Sequence, residues 1–230
     1  MGAIYLIRHG QASFGSSNYD QLSELGHAQA RRLGQSLQTR LPKVDAVVSG
    51  SMQRHQATAA SCLDTMGLNL PVAEHAGFNE FDHEQVIERM EPRYTDKLVM
   101  MGDMAATGDP RRAFQQFFQQ AVARWVAGQH DADYTESWRG FQQRCHDAVD
   151  DIVAQTGPSG TSLVFTSGGV ISTVCQRLLN IPDEHAFTLN WTLANAGVTK
   201  LIVGKQGVHL STVNEHSHFE GDNAKLLSYR

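Results

Sequence analysis

The sequence predicts an α/β fold: a three-layer α/β/α sandwich with a mostly parallel central sheet and a helical insertion over the edge where a ligand would bind. Two observations carry it. Short apolar, β-preferring runs alternate with amphipathic helical patterns at both ends of the chain, as parallel sheets with crossover helices require. The middle, from about residue 81 to 156, shows helical patterns only. The 230 residues therefore read as a single domain, 1–230, with an insertion at about 81–135.

Taken in order, Ile4-Tyr5-Leu6-Ile7 reads as a buried strand that stops abruptly at Arg8-His9-Gly10. A polar loop from Ala12 to Leu22 follows, and Ser23 can cap a helix whose apolar stripe would be Leu25, Ala28, Leu33, Leu37 and Leu41, with Pro42 ending it. Val44 to Val48 is a second strand, and Ser49-Gly50-Ser51 leads into a helix from Met52 to Met66. Pro71 to His75 is a weaker third strand. In the insertion, Ala113 to Val126 places Phe117, Phe118, Val122 and Trp125 at helical spacing, a stripe expected in a core. Ser137 to Gln155 puts Phe141, Cys145, Val149 and Ile152 on one helical face. The strand pattern resumes at Thr161 to Thr166, which runs into Ser167-Gly168-Gly169 and a helix from Val170 to Leu179. Gly197 to Val203 and Gly207 to Val213 close the sheet as a hairpin.

Composition removes several function classes. A net charge of -5 and a pI near 6.1 argue against a general nucleic-acid binder or a membrane-surface protein. No apolar run approaches the length of a membrane span, and the front end lacks a signal-peptide pattern, so a cytoplasmic protein is expected. Cys62, Cys145 and Cys175 are an odd count at unrelated spacings and read as small buried hydrophobes. His216-Ser217-His218 is a close histidine pair without a third ligand nearby, better read as surface than as a metal site. No metal and no organic cofactor is expected.

Three strand ends carry the chemistry. Arg8-His9-Gly10, Ser49-Gly50-Ser51 with Arg54 a turn later, and Thr166-Ser167-Gly168-Gly169 are strand-to-helix junctions dense in polar residues. Ligands of parallel sheets bind outside the carboxyl ends of the strands, and helix N-termini with glycine-rich turns favour anions. If these strands are neighbours, two guanidinium groups, an imidazole and a hydroxyl converge on a site suited to a phosphate monoester.

These residues resemble the histidine phosphatase superfamily, the phosphoglycerate mutase-like enzymes. Arg8-His9-Gly10 after an N-terminal strand looks like the family signature. Leu22-Ser23-Glu24-Leu25-Gly26-His27-Ala28-Gln29-Ala30 is similar to its first helix start. Ser49 through Arg54 to Thr58-Ala59 resembles the segment bringing a second phosphate-binding arginine. Phe78-Asn79-Glu80-Phe81 sits where the family has its acid, and Asn195-Ala196-Gly197-Val198-Thr199 matches a late strand. The resemblance implies a phosphomonoesterase, a histidine-type acid phosphatase acting on a small phosphorylated molecule. In it His9 attacks phosphorus, Arg8 and Arg54 clamp the oxygens with Ser167 and the Gly168 turn, and Glu80 moves the proton. That last role requires Glu80 to be partly protonated at working pH.

Two departures stand out. Where the family carries a second histidine, this chain has Ser167. A hydroxyl donates without charge, so roughly 1–2 kcal/mol of transition-state binding, about tenfold in rate, is at stake. His83, three residues past Glu80, is a candidate replacement donor. Six residues past His9, where the family often has asparagine, stands Gly15, followed by Ser16, Ser17 and Asn18.

The rivals are a pseudoenzyme that binds a phospho-ligand without turnover, and a mutase using Arg89, Arg93, Arg111 and Arg112 for a second acidic group. A serine hydrolase built on Ser167 is disfavoured, because Phe165 stands where a nucleophile elbow needs glycine. A homodimer is left open, with an exposed aromatic patch near Trp125 as its sign.

Overall fold

The structure is a computed structural model in which residues 1–13 and 20–229 are described. The chain groups into two compact units: 1–80 with 145–181 and 185–230, and 81–144 with 182–184.

The first unit is built on one six-stranded sheet. Along the chain, β1 (Gly2–Arg8) leads to α1 (Glu24–Arg40), β2 (Ala46–Ser49), α2 (Gln53–Met66) and β3 (Val72–Glu74). With the later strands β4 (Thr161–Thr166), β5 (Val198–Gly204) and β6 (Gly207–Glu215) counted, the spatial order is β3-β2-β4-β1-β5-β6. The second unit carries α3 (His83–Met90), α4 (Lys97–Ala106) and α5 (Pro110–Val126), and α6 (Trp138–Thr156) continues into the first. Then come β4 (Thr161–Thr166), α7 (Gly168–Leu179), β5 (Val198–Gly204) and β6 (Gly207–Glu215). Strands β3, β2, β4 and β1 are mutually parallel, while β5 and β6 run antiparallel at the other edge. The sheet is therefore mixed and mostly parallel, flanked by helices. β1 and β4 read as continuous apolar runs because both of their faces are covered.

The stripe expected on α1 is displaced. The buried positions are Gly26, Gln29, Ala30, Leu33, Gly34 and Leu37, whereas Leu25, Ala28 and Leu41 are half-exposed. The reason is close approach. A Cβ on Gly26 would lie 2.2 Å from the Gln11 carbonyl oxygen, and one on Gly34 would lie 2.5 Å from that of Cys62. Apolar periodicity overlooks glycine, yet here glycine marks the inner face. Gly26→Ala is therefore expected to destabilise the protein by roughly 2–3 kcal/mol, read as a lower urea midpoint at unchanged slope.

Ser23 caps α1 as expected, its hydroxyl accepting from the Gly26 amide at 3.1 Å. Gly67 closes α2 in the left-handed conformation at φ 68°. The three cysteines are buried and take part in no disulfide, and burial pushes the Cys62 and Cys175 thiols up to about 12. In the second unit the expected aromatic stripe is core: Trp125 is buried against Phe81, Trp138 and Phe141. Phe117 and Phe118 are half-buried against Tyr94 and its neighbours. Trp125 itself is 1% exposed. Among the described residues no helix is long and apolar enough to cross a membrane.

Candidate active site

The three polar strand ends do converge. β4 lies between β1 and β2, with Arg8 opposite Thr166 and Ser49 opposite Phe165. The His9 amide donates to the Thr166 carbonyl at 2.9 Å, and the Gly50 amide to that of Phe165 at 3.0 Å. The three turns thus leave the sheet side by side, at the carboxyl ends of its parallel strands.

His9 is fixed from several sides and only 7% exposed. Its carbonyl accepts from the Ala196 amide at 3.2 Å and the Asn195 side chain at 3.3 Å. The following Gly10 amide donates to Thr58 Oγ1 at 3.0 Å. The imidazole Nδ1 lies 2.7 Å from the Gly10 carbonyl oxygen. A carbonyl only accepts, so Nδ1 must carry the proton, which leaves the lone pair on Nε2. Burial is the main cause holding the imidazole well below its ordinary 6.5, with the charges of Arg54 and Arg8 and the nearby His55 adding to it; the Gly10 bond opposes. His9 is therefore a neutral imidazole with an available ring nitrogen beside two cations.

Both arginines are buried. Arg8 donates through Nη1 to the Leu193 carbonyl. Arg54, in the first turn of α2, pairs through Nη1 with Asp20 Oδ1 at 2.7 Å. The other Asp20 oxygen accepts from the Gln53 amide at 2.8 Å, so one carboxylate both caps α2 and orients the guanidinium. Nothing in the polar loop singled out Asp20 beforehand. Gly168 has a steric reason to be glycine: a Cβ there would sit 2.2 Å from Asn190 Oδ1 and 3.4 Å from Arg8 Nε.

Glu80 reaches the same end of the sheet. Asn79 accepts from the Ser51 amide at 2.7 Å and donates to Ser51 Oγ at 2.6 Å, while Thr166 Oγ1 donates to the Phe78 carbonyl at 2.7 Å. Those bonds tie the segment to both neighbouring turns. Glu80 Oε2 then accepts from the Gly169 amide at 3.0 Å, at the N-terminus of α7.

Ser167 occupies the N-cap position of α7 but caps nothing; its Oγ lies 2.6 Å from His55 Nε2. His55, from the first turn of α2, is fully buried, and its ring centroid is 5.7 Å from that of His9. Burial, then the Arg54 charge, pushes its imidazole well below the ordinary value.

A scan against protein families matches the description "Histidine phosphatase superfamily (branch 1)" over residues 4–98 and 87–216. The chain belongs to the histidine phosphatase superfamily. The chain is 34% identical over 87 residues to a 2,3-bisphosphoglycerate-dependent phosphoglycerate mutase of Bartonella quintana, a match that spans 35% of this chain and 42% of that enzyme. It is 22% identical over 229 residues to the "Putative phosphoserine phosphatase 2" of Hydrogenobacter thermophilus, covering 95% of this chain and 98% of that one. Among solved structures, phosphoglycerate mutase from Bacillus anthracis superposes with a TM-score of 0.65 at 20% identity, covering 94% of each chain. That likeness shows the phosphoglycerate mutase-like fold.

The feature of the site that the sequence hid is His55. It stands beside Arg54 in the chain, and the available sign was Gly50, since a Cβ there would lie 2.3 Å from His55 Nδ1. His83, the candidate donor named from sequence, opens α3 in the second unit. Gly15, Ser16, Ser17 and Asn18 lie outside the described residues. His218 corrects the expectation of a surface pair, being 3% exposed. Among the described residues, no three His, Cys, Asp or Glu side chains group to hold a metal.

A cavity in the second unit, lined by Phe81, Trp125 and Tyr134, also carries the carboxylates of Asp82 and Glu136. Acid groups suit it poorly to a phosphate.

Proposed function

We propose that the chain is a phosphomonoesterase that works through a phosphohistidine at His9 on a small phosphorylated substrate. The observation that carries this reading is the tautomer of His9: Nδ1 is engaged by the Gly10 carbonyl, so Nε2 offers its lone pair next to Arg8 and Arg54. In the first step Nε2 attacks phosphorus and a P–N bond forms as the ester P–O bond breaks. Glu80 gives its proton to the departing oxygen. In the second, water attacks the phosphorus, Glu80 takes the water's proton, and the P–N bond breaks to release phosphate and neutral His9. Arg8 and Arg54 stabilise the charge on the non-bridging oxygens, and Ser167 Oγ with the Gly168 turn completes the anion site.

Hydrolysis is favoured over a mutase reaction by the state of the arginines that a second acidic group would need. Arg89, Arg93, Arg111 and Arg112 are all exposed, and Arg93 is already paired with Glu91 and Asp103. Names of similar proteins, a phosphoserine phosphatase among them, support the substrate class of small phosphate monoesters.

The pH profile tests the reading. An ordinary imidazole nucleophile loses activity as pH falls through 6.5, because the protonated ring has no lone pair. His9 is held well below that value, so its neutral form persists into acid. With p-nitrophenyl phosphate, kcat/KM is expected to hold through pH 6.5 and fall only at distinctly lower pH. Tight vanadate binding with no hydrolysis at any pH would favour the pseudoenzyme instead.

A further inference from the structure

We propose that His55 and Ser167 act as one hydrogen-bonding unit, in which His55 Nε2–H holds Ser167 Oγ so that the hydroxyl proton is aimed at a phosphoryl oxygen. The inference rests on the reading of His9 as the phosphorylated group.

Three observations lead to it. First, the two atoms are 2.6 Å apart, both side chains are fully buried, and they come from positions 112 residues apart in sequence. Second, Ser167 stands at a helix N-cap yet makes no capping bond to α7, so it forgoes the usual stabilisation of that position. Its hydroxyl is committed to the histidine. Third, His55 Nδ1 is buried with no hydrogen-bond partner, pressed beneath Gly50, where a Cβ would lie 2.3 Å from it. An orphaned buried N–H is rarer than an orphaned lone pair, so the proton belongs on Nε2.

The donor and acceptor assignment then follows. Nε2–H donates to Ser167 Oγ, and the serine cannot return its own proton to the same nitrogen. The serine proton has to point elsewhere, and an oxygen of a phosphoryl group on His9 is an acceptor of the right chemistry, with the two imidazole rings 5.7 Å apart. His55 is on this account a positioning residue: it touches no substrate and acts through the serine. It does for this chain what a directly contacting imidazole would do, using two side chains in place of one.

The test compares variants in steady-state hydrolysis of p-nitrophenyl phosphate, each checked for folding by its thermal melt. His55→Leu keeps the volume and removes the donor; it is expected to lower kcat about tenfold or more with little change in KM. His55→Gln keeps an N–H donor and should retain most of kcat. Ser167→His in a His55→Ala background places an imidazole where the serine stood and should recover activity lost in His55→Ala alone. Equal kcat for folded Leu and Gln variants, or no recovery in a folded double variant, would overturn the unit. Those results leave the phosphatase reading intact. No hydrolysis by the unaltered protein would instead remove that reading, and this inference with it.

Discussion

Replacing His9 by alanine is expected to lower turnover of p-nitrophenyl phosphate by on the order of a thousandfold or more while leaving the protein folded. The size follows from the role. An arginine or serine removed from the site withdraws one stabilising contact, but losing the nucleophile removes the covalent route altogether. The fold should tolerate the change because the ring hydrogen-bonds to the adjacent Gly10 carbonyl, whereas the backbone bonds of His9 to Thr166 and Ala196 do not depend on the side chain. Vanadate binding should survive at weakened affinity, since Arg8 and Arg54 remain. Steady-state rates and a thermal melt on the same preparation check both halves. A His9→Ala protein that hydrolyses at more than a few per cent of the original rate would show that His9 is not the attacking group.

The second large effect concerns stability in acid. His218 is buried against Phe219 with neither ring nitrogen hydrogen-bonded, and burial is the main cause pushing its imidazole down to about 4. Arg32, Arg40 and His216 act in the same direction, and only Glu215 opposes them. The sign is set by where the protons bind. Between pH 6.5 and about 4 the unfolded chain takes up a proton on this histidine and the folded chain does not, so stability falls as pH falls through that window. At pH 5 the loss amounts to about 2 kcal/mol, and below pH 4 to about 3 kcal/mol. His218→Leu removes the titration and two unpaired polar atoms while keeping a similar volume. Urea unfolding at pH 8 and pH 5 should therefore show the variant gaining on the original protein by about 2 kcal/mol as pH drops. Equal acid sensitivity in both would contradict this.

Much of the site was legible because it depends on local chemistry at strand ends. An apolar run that stops at Arg8-His9-Gly10 marks both the strand and the turn that ends it, and Thr161 to Thr166 was bounded correctly for the same reason. What the sequence did not disclose depends on contacts between distant segments. His55 meets Ser167 between the neighbouring turns after β2 and β4, and Asp20 reaches Arg54 from the end of a polar loop; neither pairing has any local periodicity. The inner face of α1 was misplaced because Gly26 and Gly34 count as neutral in a hydrophobic pattern, while backbone contact makes them the most constrained positions on the helix. His218 was misread for a related reason. Its neighbours are polar in sequence, and only the three-dimensional cover from Phe219 and its surroundings takes it out of water.

The most direct measurement is to mix the protein with a phosphorylated substrate, quench in alkali within the first turnovers, and locate any phosphoryl group by mass spectrometry. A phosphohistidine is stable in base and labile in acid. The account predicts one phosphoryl group per chain, on His9, that appears during turnover and decays as product forms. Rapid hydrolysis with His9 never labelled, or a label on Ser167 or another residue in its place, would contradict it.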